Sequence, residues 1–558
     1  MKNKAPDYSK YTHTFSSYCY AGPNDGHWHR DGVPFYTGKD LRTVEGYKEY
    51  KDAGMDIYFP QTDARITTFY GGNVKTSEWA EDFFDKRLAE WEQVKIYWDR
   101  AYEAGLKKII MMEGQIQNWS GVEHGMLLKP ADVVIADGEV SPYTFQNEEE
   151  FDEAIAKILQ PYVNHPGFYG VMLKDEPCYS CVEAYGQTCR AVKRVGQKVF
   201  HRDIFVQHNL IPMRASINSG VYSMMPLLDW FTEKGAAITP RDYYIMIGGG
   251  QPNQEVINPK EKVRQALEEE LAAYGGNEVD VASMKYEKYL EQFVLAMGSD
   301  YVQYDDYPLK QTDEKVHTLG CYLRTIQVVA NVARELDIDF QMVSQSFSSE
   351  TKGGSAMRTL TEGECRWINN ILLAFGASQI NYYTYIAKKS NSAYDLYYKN
   401  EGSFITREGE KTDIYYAYQK INQENNRFAP TKLNFKYQGS RIYNVQPLRF
   451  QTECCWDKWL DNTYAFKELK DICVNKESAL ITESYDKENE RYMYCVQNMV
   501  LPIHKGVETN QTTVLTFDAA KYKYAAIYRN GERTLCELQD GKLTIQNEAG
   551  QAAFVIPY

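Results

Sequence analysis

The feature that most restricts the fold is an alternation. Short apolar runs are separated by longer amphipathic stretches from about residue 14 to residue 430. The runs fall at 15–21, 55–60, 108–114, 168–175, 204–211, 301–306, 340–346 and 379–385. Between them stand helical patterns such as SEWAEDFFDKRLAEWEQVKIYWDRAYEAG (77–105) and EKVHTLGCYLRTIQVVANVARELD (314–337). Strand and helix alternating in this way imply βαβ units and a parallel sheet. Several runs follow a glycine, as in DAGMDIYFP, EAGLKKIIMMEG and LAMGSDYVQYDD. Glycine there suits a left-handed helix stop before the chain turns into the next strand.

Eight such strands predict an α/β fold of the (β/α)8 TIM-barrel type, large and with insertions. The longest insertion, about 213–276, follows the fifth run and contains GGGQPN and KEKVRQALEEELAAYG. Long βα loops on the C-terminal face are where barrels build substrate pockets. An open doubly wound sheet is the alternative. Its nucleotide-binding form is disfavoured because no GxGxxG follows the first run. Near Pro430 the texture changes to short alternating segments, among them YAAIYRNGERTLCELQDGKLTIQ. Asn530-Gly531 and Asp540-Gly541 are hairpin signals. The expected domains are a barrel over 1–430 and a small all-β sandwich over 431–558.

A formal charge of -14 argues against nucleic acid, whose phosphates require clustered Lys and Arg, and no basic, aromatic-interleaved stripe stands out, so no nucleic-acid partner is expected. No stretch approaches about 18 uninterrupted apolar residues, so no membrane span is expected. The first fourteen residues, MKNKAPDYSKYTHT, carry no signal-peptide pattern. Eleven irregularly spaced cysteines suit reduced thiols in the cytoplasm. An exported chain whose signal has been removed would read the same way. The 45 Tyr, 23 Phe and 9 Trp offer flat faces for sugar C–H groups, and serve equally well as core.

Chemistry concentrates where runs end. GFYGVMLKDEP closes the fourth run with Asp175 and Glu176, and YVQYDDYPL closes the sixth with Asp305 and Asp306. Barrel active sites sit at that rim. Adjacent strand residues point to opposite sides, so only one acid of each pair aims inward. Glu176 is the candidate proton donor, with partial burial expected to raise its pKa, and Asp175 orients it or binds a hydroxyl. The same pair of acids also suits a helix N-cap. Asp305 is the candidate nucleophile or base, and Asp306 and Tyr304 are candidate sugar contacts. Two carboxyl groups about 5–5.5 Å apart serve retention, and about 6.5–9.5 Å inversion.

Further candidates are Glu113 at the end of the third run, as a contact or the second carboxylate, His208 and Asn209 near the end of the fifth, as hydroxyl ligands, Gln345 near the end of the seventh, and Tyr383 in the eighth. Glu350, Glu362 and Glu364 follow the seventh run, and Glu364 better suits a helix start. His27 and His29 suit loop or substrate contacts better than a metal. Cys178-x-x-Cys181 with Cys189 lacks a matching ligand pair, so no metal or other cofactor is expected. GxSxG, P-loop and HExxH patterns are absent from the sequence.

The segments GFYGVMLKDEP, FVQHNLIP, YVQYDDYPL, FQMVSQSF, ECRWINNILLAFGASQINYYTY and IYYAYQKINQENNRFAP give the chain a resemblance. It resembles the clan A glycoside hydrolases, and more narrowly bacterial proteins loosely related to the family 42 β-galactosidases. That resemblance implies a β-glycosidase whose acid, at the fourth strand, is Glu176. The clan has Asn before that acid, where this chain has Asp175. It also places a nucleophilic Glu at the end of the seventh strand, where this chain reads MVSQSFSS. Asp305, Glu113 or Glu350 must then supply the second carboxylate, or the mechanism differs. The expected activity is hydrolysis of a glycosidic bond in an oligosaccharide or glycoside. The alternatives are a non-catalytic carbohydrate-binding barrel that has lost its nucleophile, and a lyase or other barrel enzyme with a metal among the rim acids.

Overall fold

A computed structural model describes residues 5–23, 28–30, 33–35, 40–60, 66, 69–70, 72, 74–213, 278–311, 316–318, 322–351, 356–387, 396–444, 460–502 and 509–558. The insertion expected at about 213–276 lies, from residue 214, outside the described residues, as does His27. The fold is mixed α/β. Seven of the eight apolar runs form strands: β1 (Ile57–Tyr58), β2 (Lys108–Met111), β3 (Phe168–Asp175), β4 (Phe205–Asn209), β5 (Tyr301–Asp305), β6 (Asp339–Gln345) and β7 (Ala377–Tyr383). The first run makes only isolated parallel bridges, Ser16 to Gln379 and Cys19 to Tyr382.

The helices follow the amphipathic stretches: α1 (Val44–Asp52), α2 (Phe83–Glu103), α3 (Gly114–Ser120), α4 (Glu148–Leu159), α5 (Val182–Lys198), α6 (Glu278–Met297), α7 (Tyr322–Glu335), α8 (Glu362–Ala374) and α9 (Asp413–Lys432). Gly54 and Gly105, after α1 and α2, take φ of +100° and +94°, the left-handed stop that the sequence announces. The helical pattern over 314–337 begins later than its composition suggests. Val316–Thr318 is a short strand against Leu309–Gln311, and the helix starts at Tyr322, where apolar spacing becomes regular. Among the described residues no helix is long and apolar enough to cross a membrane.

The chain divides into two compact units. One comprises residues 59–102 and 107–305. Within it β2, β3 and β4 run parallel, and Leu210, just past β4, forms a parallel bridge with Tyr304 of β5, donating its N–H to the Gln303 carbonyl at 2.9 Å. Four strands therefore share one direction, and their C-terminal ends share one edge. The α5 helix buries Ala184, Tyr185, Thr188, Ala191, Val192 and Val195, a stripe at helical spacing, and leaves its charged side outward. Each fully buried aliphatic or aromatic residue in such a stripe contributes about 1.5–3 kcal/mol.

The other unit comprises residues 1–58, 103–106 and 306–558. In it β6 and β7 are parallel, and the first apolar run lies along β7. The first and eighth runs are thus neighbours. The antiparallel C-terminal strands belong to the same unit: β8 (Lys436–Tyr443), β9 (Leu469–Asn475), β10 (Ala479–Asp486), β11 (Arg491–Asn498), β12 (Gln511–Phe517), β13 (Tyr524–Arg529), β14 (Glu532–Glu537), β15 (Lys542–Asn547) and β16 (Ala552–Pro557). Six form one sheet in the order β8-β10-β11-β16-β13-β14, and three another, β9-β12-β15. Ile481, Tyr494 and Val496 of the first meet Leu515, Phe517 and Ile545 of the second in one apolar cluster, as in a β-sandwich. Asn530 and Gly531 (φ +50° and +76°) link β13 to β14 in the two-residue turn expected.

Candidate active site

Three adjacent parallel strands of the first unit end in polar residues: β3 in Asp175, β4 in Asn209 and β5 in Asp305. Asp175 and Asn209 are register partners. The Asn209 amide nitrogen donates to Asp175 Oδ1 and to Asp305 Oδ1, each at 3.1 Å. Both N–H groups of one amide are thus spent on two carboxylates, whose bonded oxygens lie at most about 6 Å apart. Asn209 and Asp305 are buried, and Asp175 is exposed. An acidic pair held by one neutral donor is what the strand ends deliver.

Glu176 follows directly and is exposed, not partly buried as the sequence suggested. Its φ is +45°, and its N–H donates to the Asn209 carbonyl at 3.0 Å. A left-handed glutamate is uncommon, and one that precedes a proline is less common still, because the ring restricts the residue before it. Departure from extended geometry at this residue also ends the strict alternation that would have aimed Asp175 and Glu176 to opposite sides.

Two other candidates in this unit have different tasks. Glu113 is fully buried; it caps α3 through Ile116 N–H at 2.7 Å and pairs with Arg87 at 2.6 Å. It is a structural acid rather than a rim ligand, because Arg87 and the cap hold both of its oxygens. His208 is buried, stacks on Tyr301 with ring centres 4.2 Å apart, and receives Gln303 N–H at Nε2. Burial, with Lys193 adding to it, lowers its pKa to about 3, so it is a neutral core histidine rather than a hydroxyl ligand. Tyr304 is also fully buried and presents no open face to a sugar.

The remaining candidates belong to the other unit. Asp306 is buried, accepts the Tyr307 N–H at 2.9 Å, and donates its own N–H to the Val343 carbonyl. Gln345 is buried too; its amide accepts from Leu309 N–H and donates to the Leu309 carbonyl, which ties the end of β6 to the short strand Leu309–Gln311. Tyr383, half-buried, lies 5.3 Å from Phe347 and 5.8 Å from Tyr307, centre to centre. Phe347 was not singled out by sequence; only its place just after a run end could have flagged it. Glu364 closes a capping box with Thr361, in the first turn of α8, the helix start that its sequence position suggested. The side chains of His29 and Glu350 lie outside the described residues.

No protein-family model matches the chain, and no curated protein matches it in sequence. Solved structures with a similar course include an α-amylase from Geobacillus thermoleovorans, at 10% identity, 98% coverage of each chain and a TM-score of 0.42. A GH27 β-L-arabinopyranosidase from Geobacillus stearothermophilus aligns at 10% identity over 99% of this chain and 97% of that one, with a TM-score of 0.40. A GH30 endoxylanase from Clostridium papyrosolvens aligns at 9% identity over 98% of both, with a TM-score of 0.34. Likeness this distant says nothing of the reaction, which must come from the side chains.

Proposed function

We propose that this chain hydrolyses glycosidic bonds, from a (β/α)8 barrel over 1–430 followed by a β-sandwich over 431–558. The observation that carries the reading is the Asn209 amide joining Asp175 to Asp305 at the ends of neighbouring parallel strands, with Glu176 next in the chain. Glycoside hydrolysis needs one carboxylic acid to protonate the departing oxygen and one carboxylate to attack the anomeric carbon or activate water. Glu176, open to solvent, takes the first part. Asp305, whose Oδ1 is held by Asn209, takes the second. Asp175, held by the same amide, is a sugar-hydroxyl ligand.

The test is Asp305→Ala, assayed on aryl glycosides with and without azide. Loss of turnover that azide restores, with a glycosyl azide as product, supports the assignment. Wild-type turnover in the variant removes Asp305 from the mechanism.

A second reading, sugar binding without hydrolysis, draws on Gln345. That residue ends β6 where the resembled clan carries its nucleophile, and its amide is committed to Leu309. Calorimetry that detects sugar binding, with no product from any glycan tried, would favour it.

A further inference from the structure

The Glu176 backbone is the most unusual feature of the site, and it is anchored on both sides. Left-handed φ at a residue with a Cβ is sterically disfavoured, and the following Pro177 disfavours compact backbone geometry before it. Such a conformation persists only when its surroundings over-determine it. Three hydrogen bonds do so here. Tyr185 Oη donates to the Lys174 carbonyl at 3.0 Å, Glu176 N–H donates to the Asn209 carbonyl at 3.0 Å, and Tyr289 Oη donates to the Pro177 carbonyl at 2.8 Å.

The two tyrosines come from different helices, Tyr185 from α5 and Tyr289 from α6, and both are fully buried. Phe293 lies between them, its ring 5.2 Å from Tyr185 and 4.8 Å from Tyr289. Tyr289 Oη also accepts the Ile211 N–H at 3.4 Å, just beyond β4. One hydroxyl therefore ties the segment after Glu176 to the segment after Asn209. Burial raises both phenols well above their ordinary pKa, which keeps them protonated as donors.

We infer that Tyr289 and Tyr185 are positioning residues that hold Glu176 in its left-handed conformation and so aim its carboxyl at the leaving-group oxygen. The inference rests on Glu176 being the proton donor. Neither tyrosine need touch substrate; each acts through a backbone carbonyl that flanks the acid. A carboxyl displaced by about 1 Å loses roughly 100-fold in rate, and only where its proton is needed.

The experiment compares two aryl glycosides of one sugar, one with an activated dinitrophenyl leaving group and one with a poor leaving group. Wild type, Tyr289→Phe, Tyr185→Phe and Glu176→Gln are assayed on both, with Tyr286→Phe as the control, a fully buried tyrosine one turn before Tyr289 on α6. The ratio of the two kcat values on one preparation does not depend on how much of it is folded. The expected result for Tyr289→Phe is a fall of roughly 10- to 100-fold in kcat on the poor leaving group, little change on the activated one, and KM within twofold. Tyr185→Phe shifts the ratio in the same direction, and serves should Tyr289→Phe not fold. Tyr286→Phe leaves the ratio unchanged. If Glu176→Gln shifts the ratio and neither tyrosine variant does, the positioning role is overturned while the acid stands. If Glu176→Gln leaves the ratio at its wild-type value, the acid assignment fails and the inference falls with it. Equal losses on both substrates in the tyrosine variants mean a structural role only, and overturn the inference.

Discussion

Asn209 sets the local geometry more than any other side chain, because one amide satisfies two acids. Hydrogen bonds to charged groups contribute about 1.5–3 kcal/mol each, and removal of the shared donor leaves two carboxylates close together without a neutral spacer. Asn209→Ala should therefore lower stability by roughly 2–4 kcal/mol in urea denaturation, and should depress kcat more than it raises KM. Unchanged stability would show that the amide does not hold the two acids. Asp175 and Asp305 were legible as candidates because each ends an apolar run. The donor between them was legible only as a polar residue after FVQH, since no spacing rule links 175, 209 and 305. Tyr304 and His208 misled for a physical reason. Strands in parallel sheets bury both faces, so alternation along YVQYD or FVQHN does not separate core from rim.

At the level of elements, Glu113 belongs to the packing of α2 and α3. Arg87 lies 26 residues upstream on α2 and meets Glu113 with both side chains fully buried. Breaking a buried ion pair by removal of one partner costs about 3–5 kcal/mol, because the other charge is left alone. Glu113→Ala should lose about that much in thermal denaturation. A variant with wild-type stability and no activity would return Glu113 to the catalytic candidates. Helix stops and the hairpin at Asn530-Gly531 were readable because each depends on a few adjacent residues. The partners of Glu113 and Pro177 were not, because Arg87 and Tyr289 reach them across packed helices.

For the whole molecule, pH exposes groups that folding has desolvated. His208 stays neutral in the native state down to about pH 3, whereas in the unfolded chain it gains its proton near its ordinary value of 6.5. Between those limits the unfolded chain binds the extra proton, so stability falls as pH falls, by about 1.4 kcal/mol per unit from this ring. Denaturant midpoints from pH 7 to 4 should show this slope, and His208→Gln should flatten it. Lys432 works on the alkaline side. Burial lowers its pKa from 10.5 to about 8, so the cost of its charge is fully present below pH 8 and disappears as pH rises towards 10.5. Lys432→Met should raise the thermal midpoint at pH 7 and make little difference at pH 10.5. A lower midpoint at pH 7 would contradict the unfavourable burial.

The central claim is that Glu176 protonates a departing glycosidic oxygen. The most direct measurement is turnover of oligosaccharides and aryl glycosides by the wild-type chain and by Glu176→Gln. The wild type is expected to release product, and the variant to lose roughly 100- to 10,000-fold in turnover, most where the leaving group most needs a proton. Full wild-type turnover by Glu176→Gln would contradict it.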